Sequence, residues 1–302
     1  MPSLNDVIQE IGRLGEGGVP NAPDVVRAQN LKNLNQYTTR NVICYYSGWL
    51  NIVGTTNFLF IDDMDKNGFM NAVEGIDCKL GLDLILHTPG GSITAAESIV
   101  YYLRQKFQNN IRVIIPQMAM SAGTMIALSA NEIIMGHHSC IGPFDPFVQG
   151  VSAFAVFEEF KRASNDLIDK PHTLPLWQIM IQKYPPAFLE QCEKAIELAE
   201  SIVPKWLESV MFSKLEPEDR DERIKKIMLN LNNPDNTKEH ARHIHCDKAL
   251  ELGIHMTFLE ADQVLQDLVL TIHHSYMATF LMTNTAKLIE SHHGKKLILN
   301  RG

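Results

Sequence analysis

Two glycine-marked turns constrain this chain most: His87-Thr88-Pro89-Gly90-Gly91 and Met120-Ser121-Ala122-Gly123. Each follows an apolar, strand-like run, Leu82-Asp83-Leu84-Ile85-Leu86 and Val113-Ile114-Ile115, and each opens a segment with helical patterning. Successive βαβ units share one crossover hand, so both turns fall at the same edge of a parallel sheet. Open α/β sheets place ligands at that edge, outside the carboxyl ends of the strands. Ser121 then stands on a sharp turn with the Ala122 N–H at a helix start, where the dipole favours negative charge. Gly91 lets a second N–H approach because it carries no side chain. A nucleophile beside free N–H donors is what acyl transfer needs. Singly, each turn has a plainer reading, a tight bend at Gly90-Gly91 and a helix cap at Ser121. Their succession, each in a strand–helix context, favours a site.

The surrounding pattern fits this frame. Leu4, Val7, Ile8, Ile11 and Leu14 recur at helical spacing, and residues 15–23 read as a loop. Strand-like alternation runs from Asn41 to Ile61, with Val42, Cys44, Tyr46, Phe58 and Phe60. Thr94-Ala95-Ala96-Glu97 matches a capping box ahead of Ile99, Leu103 and Phe107. Glu132 to Met135 reads as a further strand, and the chain turns helical from Phe154. Pro204 must kink or break the helical pattern of Pro186 to Phe212. Pro217 to Glu239 is polar and reads as a solvated insertion, and Leu268 to Leu299 as a helical tail.

Composition excludes some classes of function. A net charge of −8 offers no basic footprint for general nucleic-acid binding. At 302 residues, 45% hydrophobic and 21% charged, the chain has the make-up of a globular protein with a sizeable core. Its five dispersed cysteines fit reduced thiols rather than a disulfide framework. No run reaches transmembrane length and no secretory signal is visible, so a cytoplasmic location is expected.

At its two turns the chain resembles the ClpP/crotonase superfamily, and more narrowly the SppA-like serine peptidases of the serine dehydrogenase proteinase family. Leu82 to Gly91 is similar to that family's first motif and Pro116 to Met125 to its nucleophile motif. Gly142-Pro143-Phe144-Asp145-Pro146 resembles the turn that follows, and His245 to Ile254 the closing helix. The resemblance implies an α/β, ClpP/crotonase-like fold of stacked β-α units with a helical C-terminal extension. Residues 36–265 would form the catalytic domain, after an N-terminal helix and linker (1–35) and before a helical tail (266–302).

The resemblance further implies a serine peptidase acting through an acyl-enzyme on Ser121, with Gly91, Ala122 and Gly90 at the oxyanion hole. It implies no cofactor, a peptide or protein substrate, and a homo-oligomer. ClpP-type enzymes carry a histidine on the turn after the serine, and residues 142–146 contain none. That departure points to a Ser-Lys dyad of the SppA-like kind, with Lys194 as the base and Lys161 and Lys170 as fallbacks. Lys194 also has Glu190 at i−4 and Glu197 at i+3, the pattern of a solvated helix. Two alternatives share the fold: a crotonase-like acyl-CoA enzyme and a catalytically inactive oligomeric scaffold.

His87 and Met120 adjoin the two turns and are candidates for substrate binding, although a packed histidine ending a strand is the better reading of the first and a core methionine an equal reading of the second. Asp63 to Glu74 matches every ligand position of an EF-hand loop, but the strand-like run before it argues for a polar turn without calcium. His240, His243, His245 and Cys246 match no common zinc spacing and read as structural or surface residues, so no metal ligand is assigned.

Overall fold

The apolar runs build a sheet buried on both faces. The computed structural model describes residues 3–52 and 57–301. In chain order its strands are β1 (Asn41–Ser47), β2 (Leu82–His87), β3 (Ile111–Ile115), β4 (Met118–Ala119), β5 (Glu132–Met135) and β6 (Cys140–Ile141). They continue with β7 (Phe147–Val148), β8 (Val151–Ser152), β9 (Ile244–His245), β10 (Met256–Phe258), β11 (Thr285–Ser291) and β12 (Lys296–Asn300). The main sheet has the order β10-β5-β3-β2-β1-β11-β12. From β10 to β1 every pairing is parallel, whereas β11 and β12 add an antiparallel edge.

Alternation along these strands sorts the core into two layers. Ile43, Tyr45, Leu84, Leu86, Val113, Ile115 and Ile133 face the helices Asp65–Val73, Ile93–Phe107 and Ala122–Leu128. Val42, Cys44, Tyr46, Ile85, Ile114 and Ile134 face the helices Ala22–Thr38 and Gln263–Met282. Covering both faces explains why the strands read as nearly continuous apolar runs. A second, smaller sheet of order β4-β6-β9 carries the chain into the Ser121 turn.

Several expectations need correction. Beyond Ser47 the chain leaves the sheet: Trp49–Asn51 and Asn57–Leu59 are short 3₁₀ turns, Phe58 and Phe60 are exposed, and residues 53–56 lie outside the described residues. The helix Ile93–Phe107 is capped by Ser92, whose hydroxyl accepts the Ala95 N–H at 3.2 Å, and not by Thr94. The polar stretch after Pro217 is the helix Pro217–Leu231, with Ile227 and Leu231 fully buried; its charges cover only its outer face. The C-terminal segment is helical only to Met282 and then forms the β11–β12 hairpin, because Thr285 to Ser291 buries its side chains against β1. Pro204 lies inside the helix Phe188–Trp206, which passes into a π-helical turn at Leu207–Met211.

The EF-hand-like letters serve another purpose. Asp65 starts the helix Asp65–Val73, is fully buried, and pairs with Lys287 of β11 at 2.7 Å. It also accepts the Tyr45 hydroxyl at 2.8 Å. Burial raises the Asp65 pKa while the Lys287 ammonium opposes that rise. Lys287 donates in addition to the Phe60 carbonyl at 2.7 Å, which anchors the segment leading to Ile61. All five cysteines are free thiols. Among the described residues no helix is long and apolar enough to cross a membrane.

Candidate active site

The two turns are joined by backbone pairing. Thr88 N–H donates to the Met118 carbonyl at 3.1 Å and Met120 N–H to the Thr88 carbonyl at 3.0 Å. Small residues permit this approach. A side chain at Gly123 would begin 2.4 Å from the Thr88 methyl, and one at Gly90 2.6 Å from the Ser121 Cβ. Gly91 is pressed against Ile61, whose N–H donates to the Gly90 carbonyl at 2.8 Å and whose carbonyl accepts the Ser92 N–H at 2.9 Å.

Ser121 sits at φ 52°, ψ −120°, a conformation that costs a non-glycine residue roughly 1–3 kcal/mol and persists only where its surroundings impose it. It precedes the helix Ala122–Leu128, yet its side chain makes no capping bond, so the plain capping role does not account for it. Among the described residues its hydroxyl has no hydrogen-bond partner, and the Gly91 and Ala122 N–H groups have no acceptor. Strained serine, free hydroxyl and unused N–H donors are the parts that acyl transfer requires.

Ser121 and Gly91 line one cleft of about 280 Å³, together with Ser92, Thr94, Phe144, Pro146, Phe147, Ala195 and Leu198. Thr124 fastens the 142–147 segment to the serine turn. Its hydroxyl accepts the Gly142 N–H at 3.0 Å and lies 2.8 Å from the carbonyls of Gly142 and Ala119. Leu231 secures the same segment from the other side, its carbonyl accepting the Phe144 N–H at 2.8 Å.

That turn contains no histidine but holds one. Asp145 is 3% exposed, and its Oδ1 lies 2.9 Å from Nδ1 of His240, whose ring packs on Phe147 at 4.3 Å between centroids. Sequence reasoning missed both residues, since 95 positions separate them. The available signal was an aspartate in the turn after the nucleophile and a histidine-rich run before the closing helix.

The lysines lie elsewhere. Lys194 is 70% exposed and pairs with Glu190 at 2.5 Å, and that carboxylate raises its pKa through the hydrogen bond and the charge. A general base needs the opposite shift. The fallbacks are also solvated: Lys161 is 60% exposed beside Glu158, and Lys170 61% exposed beside Asp166. Ala195 and Leu198 of the helix Phe188–Trp206, not Lys194, reach the cleft.

The proposed substrate residues are set aside from the cleft as well. His87 is fully buried among Trp49, Tyr46 and His273, and neither ring nitrogen has a hydrogen-bond partner among the described residues. Burial, with the neighbouring His273, holds its pKa well below the ordinary value. Met120 is turned toward Gly142, where a side chain would meet its methyl carbon at 2.5 Å.

The chain is similar to known proteins. Over 205 residues the chain is 31% identical to the uncharacterized protein MJ1495 of Methanocaldococcus jannaschii, covering 68% of this chain and 62% of that one. It is 33% identical over 120 residues to the uncharacterized protein MJ0137 of the same organism, covering 40% and 42% of the two chains. The chain thus spans less than two thirds of the length of either relative. Residues 23–269 match the family model of the ClpP-like SDH-type serine proteinases, and the chain belongs to that family.

Proposed function

We propose that this chain hydrolyses peptide bonds through an acyl-enzyme on Ser121, with His240 as the general base and Asp145 as the residue that orients it. The observation that carries the reading is the His240–Asp145 pair, held by the segment that shares a cleft with Ser121. With Nδ1–H donated to the Asp145 carboxylate, Nε2 is left as the proton acceptor. His240 takes the Ser121 proton as the hydroxyl oxygen attacks the carbonyl carbon, and returns it to the leaving amine. Water then releases the acyl group by the same proton path. Gly91 and Ala122, with Gly90 shaping the turn, supply the N–H groups for the oxyanion.

The test is covalent labelling by a fluorophosphonate and hydrolysis of unstructured peptides by variants. Ser121→Ala and His240→Ala should each lose nearly all activity, while Lys194→Ala should keep it. Full activity in His240→Ala with loss in Lys194→Ala would favour the Ser-Lys dyad instead, since Lys194 adjoins Ala195 of the cleft. That dyad requires the ammonium to leave Glu190 and shed a proton which the pairing now holds. Undiminished hydrolysis by Ser121→Ala would remove both readings, and a wild type that neither labels nor hydrolyses would restore the scaffold or acyl-CoA alternatives.

The same reading includes a homo-oligomer that restricts access to the cleft. Exposed Phe157, Ile168, Leu174, Leu176 and Ile179 on consecutive helices support it, since a monomer seldom leaves such a surface to water. Light scattering should give several times 34.1 kDa.

A further inference from the structure

We propose that His137, Cys246 and Asp247 form a binding site for one divalent cation of the zinc class. Each residue offers one donor atom, and all three lie within 4.8 Å of one another. The Cys246 Sγ is 3.6 Å from His137 Nδ1 and 3.8 Å from an Asp247 carboxylate oxygen. Zinc bonds of about 2.3 Å to sulfur and about 2.0–2.1 Å to nitrogen or oxygen give a tetrahedron with edges of about 3.5 Å. The two separations from sulfur match those edges to within a few tenths of an ångström. Imidazole and thiolate select a borderline-soft metal over calcium or magnesium, and the fourth position is left to water.

The fold positions His137 and Cys246. His137 follows β5; its N–H donates to a Glu260 carboxylate oxygen at 2.9 Å and its ring packs on Phe258 at 4.9 Å. Cys246 is 1% exposed and follows β9, which pairs with β6 through Cys140 and His245. The Cys246 sulfur already sits between the imidazole nitrogen and the carboxylate, and a bound cation would engage all three groups at once. The other Glu260 oxygen is buried without a partner among the described residues, a further negative group beside the cluster. None of the three ligands lines the Ser121 cleft, so the site stands independently of the peptidase reading. A bound ion would fasten the 137–138 turn to the chain leaving β9, six residues after His240.

The test uses the full-length protein stripped by a chelator, then titrated with Zn²⁺ by calorimetry and with Co²⁺ by absorption. One equivalent of each should bind, and Co²⁺ should give a near-ultraviolet thiolate charge-transfer band. Cys246→Ser should lose that band and weaken Zn²⁺ more than about 100-fold, beyond the 10–100-fold typical of residues that only support a ligand. His137→Gln replaces an exposed side chain and keeps the test sound should Cys246→Ser fail to fold. It should weaken Zn²⁺ comparably with an unchanged circular dichroism spectrum. Absence of stoichiometric binding to the wild type, or a charge-transfer band and affinity unchanged in both variants, would overturn the proposal.

Discussion

A Cβ placed on Gly90 would lie 2.6 Å from the Cβ of Ser121, so the two turns that form the candidate site touch at a point where only glycine fits. Gly90 also holds φ +101°, a conformation that side chains resist. The contact fixes the serine relative to the Gly91 N–H.

Gly90→Ala is therefore expected to push the turns apart rather than merely strain one of them. The Met120 carbonyl oxygen, 2.7 Å from the added carbon, closes the other route of relief. Fluorophosphonate labelling of Ser121 should fall about 100-fold or more, the usual cost of a displaced oxyanion donor. Overpacking should cost roughly 1–3 kcal/mol of stability. Labelling at the wild-type rate would show that the turns do not act together.

Asp145→Asn separates the orienting role from a structural one. It is nearly isosteric and keeps a polar group opposite His240, but it favours the wrong imidazole tautomer. Turnover should fall by up to about 10⁴-fold while peptide affinity and thermal stability change little. A fall in stability with turnover intact would assign Asp145 to packing.

The Lys287–Asp65 pair should behave as a unit. Lys287→Met leaves a buried carboxylate whose remaining partners among the described residues are the Tyr45 hydroxyl and the Asp62 N–H, and should cost about 3–5 kcal/mol in urea unfolding. The double variant Lys287→Met, Asp65→Leu removes both charges and should recover part of that loss. Additive losses would mean that the pair is not coupled.

Two buried histidines predict a stability that fails in acid. Burial, reinforced by His274 and His138, lowers the His273 pKa from 6.5 to about 3, and His87 is held well below 6.5 by burial and by His273. Each binds its proton more readily in the unfolded chain. The stabilisation is therefore complete above about 6.5 and is lost progressively as pH falls toward 3. Thermal unfolding followed across that range should show the decline, and His273→Phe should make it shallower. An unchanged slope would place the acid sensitivity elsewhere.

The sequence alone determined the local units. Apolar runs at 82–86 and 113–115 are strands because both their faces are buried, and the glycines that follow are turns because the chain must reverse against a neighbour. The turn at Ser121 was legible because strand, turn and helix are contiguous around it. The tertiary structure decided everything that depends on residues far apart in the chain. It paired His240 with Asp145, spent Asp65 on Lys287 instead of a calcium loop, gathered His137 with Cys246 and Asp247, and left Lys194 in solvent. It also turned the last residues into the β11–β12 edge, since β1 offered an unpaired side to a strand and none to a helix. Backbone propensity and period act over a few residues and can be read along the chain. Proton transfer, ion pairing and metal ligation act across a few ångströms of space, and only the packed layers set those distances.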